Sequence, residues 1–216
     1  MNAAVDKWLD DHQNELIKDL QECIKYNTLE GTPEEGKPFG PIVDACLENT
    51  LSLARRLGFK AWSLDGYYGI VEYGEGEETV GVLAHLDIVP VGDGWDFDPF
   101  AGVINDGKLY GRGTLDDKGP AIMSLYALAA LKETAVALKR KIRIILGCNE
   151  ETGMRCVKYY VEKEGMPTMS FSPDAGYPVQ KLCPARFPVL PEHMGDRRKR
   201  CRTFHDISGG SQRHCP

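Results

Sequence analysis

The stretch VGVLAHLDIVPV (residues 80–91) decides the fold. It is apolar at consecutive positions rather than at every second one. A strand of that kind is buried on both faces, which requires helices above and below it. KIRIILGC (141–148) has the same character. Between the two lies AIMSLYALAALKE (121–133), apolar nearly all round and read as a buried helix, with Pro120 suited to its first turn. A helix over 152–164 and a short strand over 168–171 follow. Strand, helix, strand, helix, strand is the alternation of an α/β fold with a mostly parallel central sheet flanked by helices.

Working outward toward the N-terminus, Lys60–Leu64 and Gly69–Tyr73 read as strands. The second is expected to form a hairpin with 79–86, with Gly74 and Gly76 in the turn. Residues 4–26 carry Val5, Trp8, Leu9, His12, Leu16, Leu20, Cys23 and Ile24 at steps of three and four, which predicts one amphipathic helix. A Gly- and Pro-rich loop (30–41) separates it from a second helix, about Ile42 to Leu57, ended by Gly58. Residues 95–112 read as short strands and turns around Asn105-Asp106-Gly107.

Ligands of open α/β sheets bind at the carboxyl ends of the strands. Here those ends carry His85 and Asp87, Glu150 and Glu151, and Asp174, with Asp116-Asp117 in the turn before the buried helix. Taken singly, each is more often structural: an H-x-D in a strand, a solvated acidic turn, an N-cap. Taken together they would place five carboxylates (Asp87, Asp116, Glu150, Glu151, Asp174) and one imidazole in a small region. Such a cluster repels itself unless cations neutralise it. It suits two divalent metal ions, zinc first, with cobalt or manganese as alternatives.

The charge is unevenly spread. The chain of 216 residues carries a net −6. Residues 1–180 amount to −11 and residues 181–216 to +5. Cys183, Cys201, Cys215, His193, His205 and His214 also crowd into that last segment, in no recognised metal-binding spacing. An acidic body is a poor phosphate-backbone binder, so no nucleic-acid partner is expected, despite DRRKRCR. The longest apolar stretch (121–131) is too short for a bilayer, and the first residues are charged where a signal peptide would be apolar. Scattered cysteines without a framework fit a reducing compartment. A soluble, cytoplasmic protein is expected, with no membrane partner.

Four ordered stretches, GVLAHLDIVPVGDGW (81–95), FAGVINDGKLYGRGTLDDKGP (100–120), GCNEETG (147–153) and FSPDAGYPV (171–179), resemble the co-catalytic zinc metallopeptidase family of aminoacylases, carboxypeptidases and dipeptidases. The bacterial peptidase V-like dipeptidases are the most similar branch. The resemblance implies a metal-dependent hydrolase of amide bonds in dipeptides, acting on a small peptide substrate. It implies metal ligation by His85, Asp116 (bridging), Glu151 and Asp174. Asp87 would orient His85, and Glu150 would act as general base and acid. The Asp116–Asp117 peptide would be cis, and Lys118 would brace its loop. An N-acyl amino acid deacylase or desuccinylase is the alternative within the superfamily, and a catalytically dead fragment the alternative outside it.

The family pattern also has a lid domain and a late His ligand that this sequence does not match. Residues 1–180 therefore read as a partial catalytic domain. Residues 181–216 read as a non-family, unstructured basic tail, of the kind a shifted reading frame or truncated gene would give. A genuine short variant is the alternative. On this reading the chain binds fewer than two tight zinc ions and has little dipeptidase activity. The sequence does not define an oligomeric state.

Overall fold

The computed structural model describes residues 2–174. The expectations for residues 181–216, and for the histidines and cysteines within them, lie outside the described residues. Five helices, α1 (Ala3–Asp11), α2 (Gln13–Ile24), α3 (Pro41–Arg56), α4 (Lys118–Glu133) and α5 (Arg155–Glu164), accompany seven strands. The strands are β1 (Lys60–Leu64), β2 (Tyr68–Tyr73), β3 (Thr79–His85), β4 (Val103–Asn105), β5 (Lys108–Tyr110), β6 (Lys141–Gly147) and β7 (Met169–Phe171). None of these helices is long and apolar enough to cross a membrane.

Five strands form the main sheet in the order β1-β2-β6-β3-β7. β6 and β7 run parallel to β3, while β2 runs antiparallel to both β1 and β6. Four strands therefore point one way and β2 alone opposes them, so the sheet is mostly parallel. Ile144, Ile145 and Leu146 are all buried, as are Val82, Leu83 and Ala84. Consecutive buried residues on a pleated strand mean that both faces are covered. Leu47 and Leu51 of α3 lie against Gly69 on one face, which is also the face α4 covers. On the opposite face Tyr160 of α5 meets Tyr68 edge-on at 5.1 Å and Arg143 by hydrogen bond.

The expected hairpin of β2 with β3 does not form, because β6 lies between them. Both strands are apolar enough to need two neighbours, and residues 74–78 are long enough to straddle one strand. Gly74 and Gly76 do turn the chain, at φ of 85° and 125°, but they pass over the start of β6. There the Lys141 amide donates to Glu78 O at 3.1 Å.

The single helix expected over 4–26 is broken at His12, whose backbone sits at φ −108°, ψ 12°. Its Nδ1 donates to Trp8 O at 2.8 Å and its ring stacks on Trp8 at 3.8 Å. The apolar phase survives the break, so Leu20, Cys23 and Ile24 remain buried. α5 begins three residues later than expected, since Gly153 and Met154 adopt φ of 141° and 53°. α4 begins two residues earlier, at Lys118. Asp106 and Gly107, both with positive φ, close the β4–β5 hairpin.

Candidate metal centre

β3, β6 and β7 are parallel neighbours, so the residues following them meet at one edge of the sheet. His85 is the last residue of β3 and is 3% exposed. Its backbone N–H donates to Asp117 Oδ2 at 2.9 Å. Its Nδ1 lies 3.0 Å from the Asp87 carbonyl oxygen and 3.4 Å from Asp87 Oδ1. Its Nε2 lies 3.1 Å from Asp116 Oδ1 and 3.8 Å from Asp174 Oδ2. The imidazole is thus gripped on one side and faces carboxylates on the other.

Asp87 does more than touch the imidazole. Its Oδ1 accepts the Glu150 amide and its Oδ2 the Glu151 amide, each at 3.0 Å. A buried carboxylate at the end of β3 therefore ties down the loop after β6. The loop carrying Asp116 is folded back equally tightly. A Cβ on Gly119 would stand 1.9 Å from Thr114 O, a separation only glycine permits. The Asp116–Asp117 peptide is cis.

Donor atoms of His85, Asp116 and Asp174 all lie within 4.8 Å of one another, and so do those of His85, Glu150 and Glu151. All six residues singled out in the sequence (His85, Asp87, Asp116, Glu150, Glu151, Asp174) are brought together. The donor set fits divalent cations on a further ground. Glu151 Oε1 is buried without a hydrogen-bond partner, an uncompensated acceptor of the kind a cation satisfies.

The electrostatics agree. Burial would lower the His85 pKa, but hydrogen bonds to Asp116 and Asp87 outweigh it and push it up to about 12. The same bond to His85 holds the Asp116 carboxyl below its usual range. Burial pushes Glu151 up to about 7, with the charge of Asp116 adding to it. Burial raises Asp174 and takes Asp117 up to about 8. Without a cation the cluster holds itself together by keeping protons.

Two residues have larger structural parts than the sequence revealed. Asp117 occupies the N-cap position of α4 but makes no capping bond; its side chain holds the His85 amide instead. Lys118 is fully buried, and its Nζ donates to Cys23 O at 3.1 Å and Tyr26 O at 2.6 Å, bracing the end of α2. An Asp-Asp-Lys run before a helix hints at neither partner. An apolar groove of about 470 Å³ beside α4, lined by Val82, Met123, Ile144 and Phe171 among others, holds no titratable group. The titratable cluster lies at the strand ends instead.

Residues 81–183 match the model of peptidase family M20/M25/M40. The chain thus carries a stretch similar to this family. Its relatives point the same way. "Putative dipeptidase YtjP" of Bacillus subtilis is 45% identical over 169 residues, 77% of this chain and 36% of the relative. The fold is similar to human carnosine dipeptidase 1, with a TM-score of 0.67 and 26% identity, covering 79% of this chain and 40% of that one. It is also similar to the YXEP protein of Bacillus subtilis, described as a dinuclear metal-binding peptidase of the M20 family. That match has a TM-score of 0.54 and 16% identity, covering 77% and 44% of the two chains. The chain spans 36% of the length of the curated relative.

Proposed function

We propose that this chain is the metal-binding part of an M20 dipeptidase that hydrolyses the amide bond of small peptides with two divalent cations, zinc first. The observation that carries the reading is His85, shared between two carboxylate groups, beside the unpartnered oxygen of Glu151. His85 and Asp174 would hold one cation, Glu151 the other, and Asp116 both. The described residues contain one other imidazole, His12, and it is stacked on Trp8. His85, whose donor lies within 4.8 Å of those of Glu150 and Glu151, is therefore the imidazole within reach of the Glu151 cation among the described residues. When bound, such cations acidify water and polarise a carbonyl. Glu150 is the proton carrier, accepting from the attacking water and donating to the leaving amine. Asp87 fixes the Glu150 and Glu151 amides and orients the His85 ring. Cys23, Cys46, Cys148 and Cys156 are free and buried, which supports a reducing, cytoplasmic setting.

The test is hydrolysis of dipeptides against N-acyl and N-succinyl amino acids, with and without added zinc. Dipeptide cleavage is expected to be weak and zinc-dependent, and lost in Glu150→Gln while bound metal is retained. Preferential cleavage of the acylated amino acids would refute the dipeptidase reading. Loss of metal from Glu150→Gln would show that the roles of Glu150 and Glu151 are exchanged. No cleavage of either class by zinc-loaded chain would leave a metal-binding segment without activity of its own.

A further inference from the structure

The loop that carries Glu150 and Glu151 is held from a second direction, by a residue in the Gly- and Pro-rich segment after α2. The Glu30 carboxylate accepts from Asn149 Nδ2 at 3.0 Å and from Thr152 Oγ1 at 2.5 Å, and it pairs with the Arg155 guanidinium. Asn149 is fully buried, and its Oδ1 accepts from Arg155 Nε at 3.0 Å and from the Arg155 amide at 3.3 Å. The Arg155 guanidinium also lies over the Phe39 ring, 4.9 Å from its centroid. The residues immediately before and after the acid pair are therefore both bound to one carboxylate.

Glu30 is itself fixed to the other side of the site. Two residues earlier, Thr28 Oγ1 donates to Leu86 O at 2.6 Å, and Thr28 O accepts the Ile88 amide at 3.3 Å. The chain around Glu30 is thereby pinned to the two residues that flank Asp87. Residues 149–152 are held between two carboxylates, Asp87 on the amides of the acid pair and Glu30 on the side chains flanking it.

We propose that Glu30 is a positioning residue for the acid pair: by fixing Asn149 and Thr152 it aims Glu151 and sets the affinity of the cation that Glu151 would hold. This rests on the metal-site reading above. Glutamine at position 30 keeps the shape, but its amide group would present N–H donors to groups that are themselves donors, and the charge facing Arg155 is gone. The His85, Asp116 and Asp174 group shares none of the Glu30 partners, so the effect is confined to one side of the site. Residues that orient metal ligands typically account for about 10–100-fold in metal affinity.

The experiment compares the full chain with Glu30→Gln, Thr152→Ser and Thr152→Val. It measures zinc uptake against a competing chelator and hydrogen exchange of peptides covering 149–155 and 113–119. Glu151→Gln and Asp174→Asn mark which uptake belongs to which group. Glu30→Gln and Thr152→Val are expected to weaken the Glu151-dependent uptake about 10–100-fold and to speed exchange in 149–155. Asp174-dependent uptake and exchange in 113–119 stay unchanged, and Thr152→Ser behaves as wild type. A loosened loop with undiminished Glu151-dependent uptake, or losses spread evenly over both groups, overturns the proposal. Wild-type chain that takes up no zinc overturns the metal-site reading itself, and uptake insensitive to Glu151→Gln removes Glu151 from it. Both outcomes are distinct from a failure of Glu30 alone.

Discussion

Replacing Asp87 by asparagine changes one atom at the most connected carboxylate in the site. In the native chain Oδ1 accepts the Glu150 amide and lies 3.4 Å from His85 Nδ1, while Oδ2 accepts the Glu151 amide. Asparagine can keep one of these acceptors. Its NH₂ must then face the other amide donor-to-donor, whichever way the side chain is turned. The hydrogen bond lost is to a charged group, worth about 1.5–3 kcal/mol, and the amide left buried and unpaired costs about 1–3 kcal/mol. These overlap, because both count the same broken contact, so the net loss is about 2–4 kcal/mol. Against a typical domain stability of about 5–15 kcal/mol, the variant folds but is clearly weakened. Urea unfolding in the presence of a chelator measures this without any contribution from metal. Asp98→Asn is the control, since its side chain caps the Phe100 amide in an exposed loop and the same charge change there costs about 0.5 kcal/mol or less. Asp87→Asn with a midpoint equal to that of Asp98→Asn would refute the clamp.

Cation binding should tighten as pH rises. The metal-free site keeps protons on His85, with its pKa near 12, and on Glu151, near 7, and both must leave for a cation to enter. Calorimetry in buffers of different ionisation enthalpy should show proton release on zinc binding at pH 7, and uptake independent of pH between 6 and 8 would contradict this. Metal-free stability should move the other way. Glu151 and Asp117 have folded pKa values raised above 4.5 and 3.8, so the folded state binds more protons than the unfolded state in that range. Stability is then lost as pH climbs from about 4 toward 8, and a chelator-treated melt that improves over this range would show the opposite sign. Gly119→Ala should cost about 1–3 kcal/mol or more, because the new methyl meets the Thr114 carbonyl, and thermal unfolding would read it. Cys23, Cys46, Cys148 and Cys156 should resist alkylation in the native chain and react on unfolding, mapped by mass spectrometry, since all four are buried.

The parts of this fold that were legible from sequence are those where burial writes itself into composition. VGVLAHLDIVPV and KIRIILGC are apolar on consecutive positions, and both are central strands. The clustering of the candidate residues was legible from the strand order. Once β3, β6 and β7 are parallel neighbours, the residues after each must meet, and His85, Glu150, Glu151 and Asp174 follow them. The β2–β3 hairpin failed because a strand's periodicity says how many faces are buried, and not which strand lies beside it. The break at His12 was invisible because the apolar phase continues through it. Asp117 and Glu30 carried no signal, since one bonds to a backbone amide and the other to side chains more than a hundred positions away.

Zinc retention by the purified chain, compared with His85→Ala, tests the metal centre most directly, because His85 is the one residue common to both ligand groups. The chain is loaded with zinc, passed through gel filtration and analysed for metal. Zinc should travel with the wild-type chain and be clearly reduced on a folded His85→Ala variant. Equal zinc on both chains, or none on the wild type, would contradict the assignment.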